Sequence, residues 1–132
     1  MLDKIEALVG IPYDARHMDC ADLAMRVQAE VFGRAVALPG RRPRPLRDAD
    51  QAAAIAAYAS QLAVPVKCPR DGDAVLMRDG GQAVAGHIGT YFFLNYTPMV
   101  LHTSHALGAS VLHRAQDLPG YGLRIEGFYR WL

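Results

Sequence analysis

The chain changes its hydrophobic rhythm near its middle. In the first half apolar residues recur at helical spacing. Leu2 to Val9 reads as a short helix that Gly10 ends and Pro12 blocks. Cys20 to Phe32 reads as a second, with Asp19 as its N-cap and Gly33 as its terminator. On it Cys20, Leu23, Ala24, Val27 and Val31 share one stripe, while Asp22, Arg26 and Glu30 lie away from it. Arg34 to Arg47, with five arginines and three prolines, reads as a loop. Asp48 or Asp50 then caps a third, alanine-rich helix running to about Leu62, with Ile55, Tyr58, Ala59 and Leu62 inward.

After Pro65 the period shortens. Pro69-Arg70-Asp71-Gly72-Asp73 is a turn. Ala74–Arg78, His87–Leu94, Met99–Ser104, Ser110–Arg114 and Leu123–Trp131 read as strands, separated by Gly80-Gly81, Asn95-Tyr96-Thr97-Pro98, Gly108 and Pro119-Gly120. Helices followed by strands at hairpin spacing predict an α+β domain whose antiparallel sheet has about five strands.

Composition narrows the class. The 132 residues suit a single domain, 1–132, and with 52% hydrophobic and 20% charged residues the chain is globular rather than disordered. A net charge of +1 gives no reason to invoke nucleic acid or an anionic membrane. No apolar run approaches the roughly 18 residues of a spanning helix. Met1-Leu2-Asp3-Lys4-Ile5-Glu6 lacks the basic start and apolar centre of a signal peptide, so the expectation is cytoplasmic synthesis, with any export carried by a larger particle. Cys20 and Cys68 are then expected as thiols, and two cysteines without a paired C-x-x-C motif do not argue for zinc.

Cys20 is the candidate nucleophile. It opens a helix, where unpaired N–H groups and the positive end of the dipole favour thiolate. Such a nucleophile needs a base, and the base an orienting group. Of His17, His87, His102, His105 and His113, His87 is the best base: it starts a strand, flanked by Gly86 and Gly89. His17 is a rival, in a turn close to Cys20. If Asn95 to Pro98 form the hairpin loop, Leu94 faces Met99 and facing residues sum to 193, which puts His102, not His105, on the His87 face. A bulge would reverse that parity in favour of His105. His113 reads as a surface strand residue.

The order of these motifs resembles that of the NlpC-type cell-wall cysteine peptidases. Asp19-Cys20-Ala21-Asp22-Leu23 resembles their D-C-S-G-L nucleophile motif, with Ala21 and Asp22 where the family has serine and glycine. Pro69 to Val75 resembles P-x-x-G-D-x-V, His87-Ile88-Gly89-Thr90-Tyr91 resembles H-V-G-I-Y, and Val100-Leu101-His102-Thr103 resembles F-I-H-A. The resemblance implies a papain-like fold, with the cysteine helix packed on the sheet. It implies Cys20 as nucleophile, His87 as general base and His102 as orienter, without metal or cofactor. Tyr13, matching the tyrosine that precedes the family's cysteine, and Asp19 are carried over as substrate- or oxyanion-binding residues. The implied substrate is the peptidoglycan stem peptide, cut between D-glutamate and diaminopimelate. The length and the ending Ile125-Glu126-Gly127-Phe128-Tyr129-Arg130 resemble the phage tail and gene-transfer-agent branch, which implies tail proteins as partners. The alternatives are a weak or inactive tail-assembly or wall-binding module of the same fold, and an amidase or acyltransferase on that scaffold.

Overall fold

Asp19 starts the helix that organises the molecule. In the computed structural model, which describes residues 1–36, 62–80 and 86–132, the Asp19 carboxylate accepts the Asp22 N–H at 2.9 Å and the Asp22 carboxylate accepts the Asp19 N–H at 3.1 Å. This reciprocal capping box fixes the start of α2 (Cys20–Phe32) and stabilises it by about 1 kcal/mol. Gly33, at φ 63°, ends it in the left-handed conformation that favours glycine. The first helix, α1, spans Leu2–Glu6 and gives way to a turn before Gly10. The arginine-rich stretch beyond residue 36 and the expected third helix lie outside the described residues, apart from Leu62.

Among the described residues six strands form one antiparallel sheet: β1 (Ala63–Val66), β2 (Ala74–Asp79), β3 (His87–Leu94), β4 (Thr97–His102), β5 (Val111–Arg114) and β6 (Leu123–Trp131), in the order β1-β6-β2-β3-β4-β5. The fold is thus α+β, with one more strand than the five expected. The additional strand is β1. Its Pro65 argues against a strand in sequence, yet β1 lies at the sheet edge, where proline is tolerated because no neighbour needs its missing N–H. Between β5 and β6, Ala115–Tyr121 is a 3₁₀ helix where the sequence shows only a Pro-Gly break.

The β3–β4 hairpin corrects the expected register. Leu94 faces Thr97, not Met99, so facing residues sum to 191. Asn95 and Tyr96 alone form the loop, both at positive φ (51° and 61°), the geometry of a tight two-residue turn. Thr97 and Pro98 therefore belong to β4. The Phe93 N–H points away from β4 to the Asp71 carboxylate at 2.7 Å, so the Phe93–Pro98 pair is a non-hydrogen-bonded one. Pro98 then presents its nitrogen away from β3, at a level that β5, paired only from Met99, does not reach. The shift is by two residues, so parity is unchanged.

The two sheet faces have different covers. On one, Leu23 and Val27 of α2 pack with Ile5 of α1 and Leu8 of the turn that follows it against Phe92 and Leu101. Ala21 and Ala24 pack with Ala74, Leu76, Ile88 and Trp131. On the other, Val75, Met77, Tyr91 and Val100 are closed over by Leu118 of the 3₁₀ helix and by Leu123. Near its C-terminus α2 is held by Phe32, stacked on Phe92 at 5.9 Å, and by Gln28, whose Nε2 donates to the Gly72 carbonyl at 2.9 Å. Its alanine end meets Ile88. The helix thus runs alongside β3 with Cys20 at the end where His87 begins the strand.

Gly89 is where this packing is tightest. A Cβ there would lie 2.6 Å from Val100 Cγ1, 3.0 Å from Met77 Cε and 3.1 Å from His102 Cβ. Gly89→Ala should therefore destabilise the fold by ~1–3 kcal/mol through overpacking. The shift of the urea unfolding midpoint measures it, and an unchanged midpoint would show that the face yields freely.

Candidate active site

His87 and His102 reach one another because of strand alternation and the missing side chain between them. Continuing the β3–β4 register sets Gly89 against His102, with His87 one diagonal step away on the same face. A diagonal step of ~7–8 Å between backbones suits two imidazoles leaning together, and Gly89 puts nothing in the way. The rings lie 5.0 Å apart, edge to face, and His87 Nε2 meets His102 Nδ1 at 2.8 Å. The step repeats on the next strand. Val111 faces His102, so His113 stands diagonally across, and its Nδ1 lies 3.0 Å from His102 Nε2. The His113 ring stacks on Tyr121 of the 3₁₀ helix at 4.1 Å. Three histidines from three adjacent strands thus form one hydrogen-bonded chain.

This corrects the reading of His113 as a surface strand residue. It is half-buried and bonded to the candidate orienter. The eight-residue connection between β4 and β5 hid their register, so nothing in the sequence aligned His113 with His102. The 3₁₀ helix that brings Tyr121 over it was equally hidden.

Burial keeps the chain neutral. It pushes His87 down to about 4, opposed by the Asp79 carboxylate. It pushes His102 down to about 3, helped by the neighbouring His87 and His113. His113 is also lowered by burial, with Asp117 acting against the shift. Neutral imidazoles each carry one N–H and one lone pair, which is what a chain of this kind needs.

Cys20 is the first residue of α2. It is half-buried and packs against the cluster that contains Ile88. Neither Cys20 nor the exposed Cys68 is in a disulfide. Strand alternation turns Ile88 toward α2 and His87 toward the opposite face. The thiol and the imidazole therefore share one end of β3 but approach it from different sides of the pleat. Asp22, expected away from the apolar stripe, is instead buried at 2% exposure. The capping box pulls its carboxylate back over the helix start, and the Asp19-x-x-Asp22 spacing was the available signal for this.

The other candidates fall elsewhere. The Asp19 carboxylate is engaged in capping. The Tyr13 N–H donates to the Gly108 carbonyl at 2.9 Å, and its ring meets His105 edge-on at 5.9 Å. Pairing of Gly10, Ile11 and Tyr13 with Ser110 and Gly108 brings these two loops together. His105 is exposed, and it is His102 that occupies His87 Nε2. His17 is exposed in the Asp14–Met18 turn. Among the described residues, no group of three or more His, Cys, Asp or Glu side chains is arranged to hold a metal ion, and no helix is long and apolar enough to cross a membrane.

A scan against protein-family models finds no matching family, and a search of curated proteins finds no match.

The depressed histidines make stability pH-dependent. Unfolded, each takes up a proton near ~6.5; folded, His87 does so only near about 4 and His102 near about 3. Between these values the unfolded chain binds more protons, so stability falls as pH falls. The slope reaches ~1.4 kcal/mol per pH unit for each histidine. Urea midpoints should hold steady above pH ~7 and drop from ~6.5 toward 4. His102→Asn should flatten the drop; an unaltered slope would show that other groups cause it.

Proposed function

We propose that this protein is a cysteine peptidase of papain-like architecture, acting on peptidoglycan stem peptides at the D-glutamyl-diaminopimelate bond. The observation that carries the reading is the 2.8 Å bond between His87 Nε2 and His102 Nδ1, at the end of β3 beside which α2 begins with Cys20. With Nε2 engaged, only His87 Nδ1 remains to take a proton, so His102 orients the ring as the third member of a triad does. The order of motifs supports the same assignment: a cysteine opening a helix, a histidine opening a strand, and a second histidine on the paired strand. The tail-particle setting and tail-protein partners rest on the resemblance alone.

The chemistry is acyl transfer. His87 Nδ1 takes the Cys20 proton, and the thiolate attacks the stem-peptide carbonyl. The thiol must reach the imidazole past the His87 backbone, from the α2 face of β3 to the opposite one. N–H groups at the start of α2, which point out of the helix end, stabilise the oxyanion. The protonated His87 gives its proton to the departing amine, and water then hydrolyses the thioester with His87 again acting as base.

Cys20→Ala should abolish release of peptide fragments from purified muropeptides, followed by chromatography. Turnover retained in that variant would sink the mechanism. Simple esters and thioesters, assayed in parallel, separate an amidase or acyltransferase on the same scaffold.

The buried Asp22 carboxylate favours a second reading, a catalytically weak wall-binding or tail-assembly module. Its negative charge occupies the positive helix end that a Cys20 thiolate would use. Iodoacetamide labelling at pH 6 discriminates, since a thiol of ordinary pKa ~8.5 is almost wholly protonated there. The peptidase reading expects Cys20 to label far faster than Cys68; equal, slow labelling supports the module. In either case Asp22→Asn should speed Cys20 labelling several-fold, because it removes a like charge. No change would mean that the carboxylate does not act on the thiol.

A further inference from the structure

We propose that His113 is a positioning residue: it supplies the acceptor that lets His102 and His87 carry their protons on Nε2, so that His87 Nδ1 presents a lone pair rather than a proton. The use of that lone pair as a base rests on the peptidase reading; the tautomer assignment does not.

The argument is a proton count along the chain. His102 is fully buried, and both of its ring nitrogens have a histidine partner, His87 Nε2 at 2.8 Å and His113 Nδ1 at 3.0 Å. A neutral imidazole donates through one nitrogen and accepts through the other. Only two settings satisfy both bonds. In the first, all three histidines carry their proton on Nε2: His87 donates to His102, and His102 donates to His113. In the second, all three carry it on Nδ1 and every donor becomes an acceptor. The second setting places a proton on His87 Nδ1 and commits Nε2 to accepting from His102, so His87 has no lone pair left for a thiol proton. The first leaves Nδ1 bare.

His113 makes the first setting possible inside an apolar face. The His102 Nε2–H needs an acceptor, and His113 Nδ1 supplies it. Without it that N–H would be buried and unsatisfied, a rarer and more costly state than an unsatisfied lone pair. His102 would then turn to its Nδ1–H form, push its proton against His87 Nε2, and drive His87 into the form that is no base. The His113 ring is held for this role by its stack on Tyr121, while Asp117, which acts electrostatically on His113, pairs with Arg114 at 2.8 Å. The pairing of β4 with β5 and the 3₁₀ helix thus build a second support behind His102.

Nitrogen-15 spectra of the imidazoles in the full chain at pH 7 test this. The wild type should show protonated Nε2 and bare Nδ1 for both His87 and His102. His113→Phe, which keeps an aromatic ring against Tyr121 but removes the acceptor, should move both to the Nδ1–H form. His113→Asn, whose side-chain oxygen falls near the position of Nδ1, should restore the wild-type pattern. A wild type with a protonated His87 Nδ1 overturns the proposal without any variant, and so does a His113→Phe protein whose tautomers are unchanged. Iodoacetamide labelling of Cys20 at pH 6 separates the two levels. A tenfold or greater loss in His113→Phe with recovery in His113→Asn supports both. Slow labelling already in the wild type, with the tautomer change intact, overturns the peptidase reading and leaves the role of His113 standing.

Discussion

Two imidazoles bonded to each other inside a closed sheet face must both stay neutral, and much of this molecule serves that constraint. A charged ring there would lose its hydration, a loss that the Asp79 carboxylate acting on His87 does not make good. Gly89 lets the rings approach, Leu118 and Leu123 help close the face that holds them, and His113 satisfies the far nitrogen of His102. Both ring nitrogens of His102 meet another histidine, so no carboxylate is hydrogen-bonded to it.

The helix that carries Cys20 is placed by a separate route. Its start is determined locally, by two aspartates three residues apart, and its position by packing of Ala21 and Ala24 on Ile88 and of Phe32 on Phe92. Small residues at the Cys20 end let α2 come close to the sheet there. The same capping box brings the Asp22 carboxylate back to the helix end where Cys20 stands.

Much of the fold was legible because it rests on local rules. Asp19 and Gly33 bracket α2 where capping chemistry requires, and strand positions follow from alternation and turn residues. The misreadings share a cause. Ala63–Val66 carries no strand assignment in sequence, and the edge position of β1 removes the need for the Pro65 N–H. Thr97 and Pro98 read as loop until Asn95 and Tyr96 are seen to turn the chain alone. Asp22 reads as solvated until its carboxylate is found folded back on the Asp19 amide.

By itself the sequence determined the α+β order, the boundaries of the cysteine helix and the parity that sets His87 and His102 on one face, because each depends on residues close in the chain or on a period of two that survives a register error of two. Only the tertiary structure decided that His113 stands behind His102, that Tyr121 covers it, and that Cys20 and His87 lie on different sides of the β3 pleat. Those relations depend on which strands become neighbours and on which face each layer packs. They arise from burying apolar surface across the whole domain, not from any local pattern.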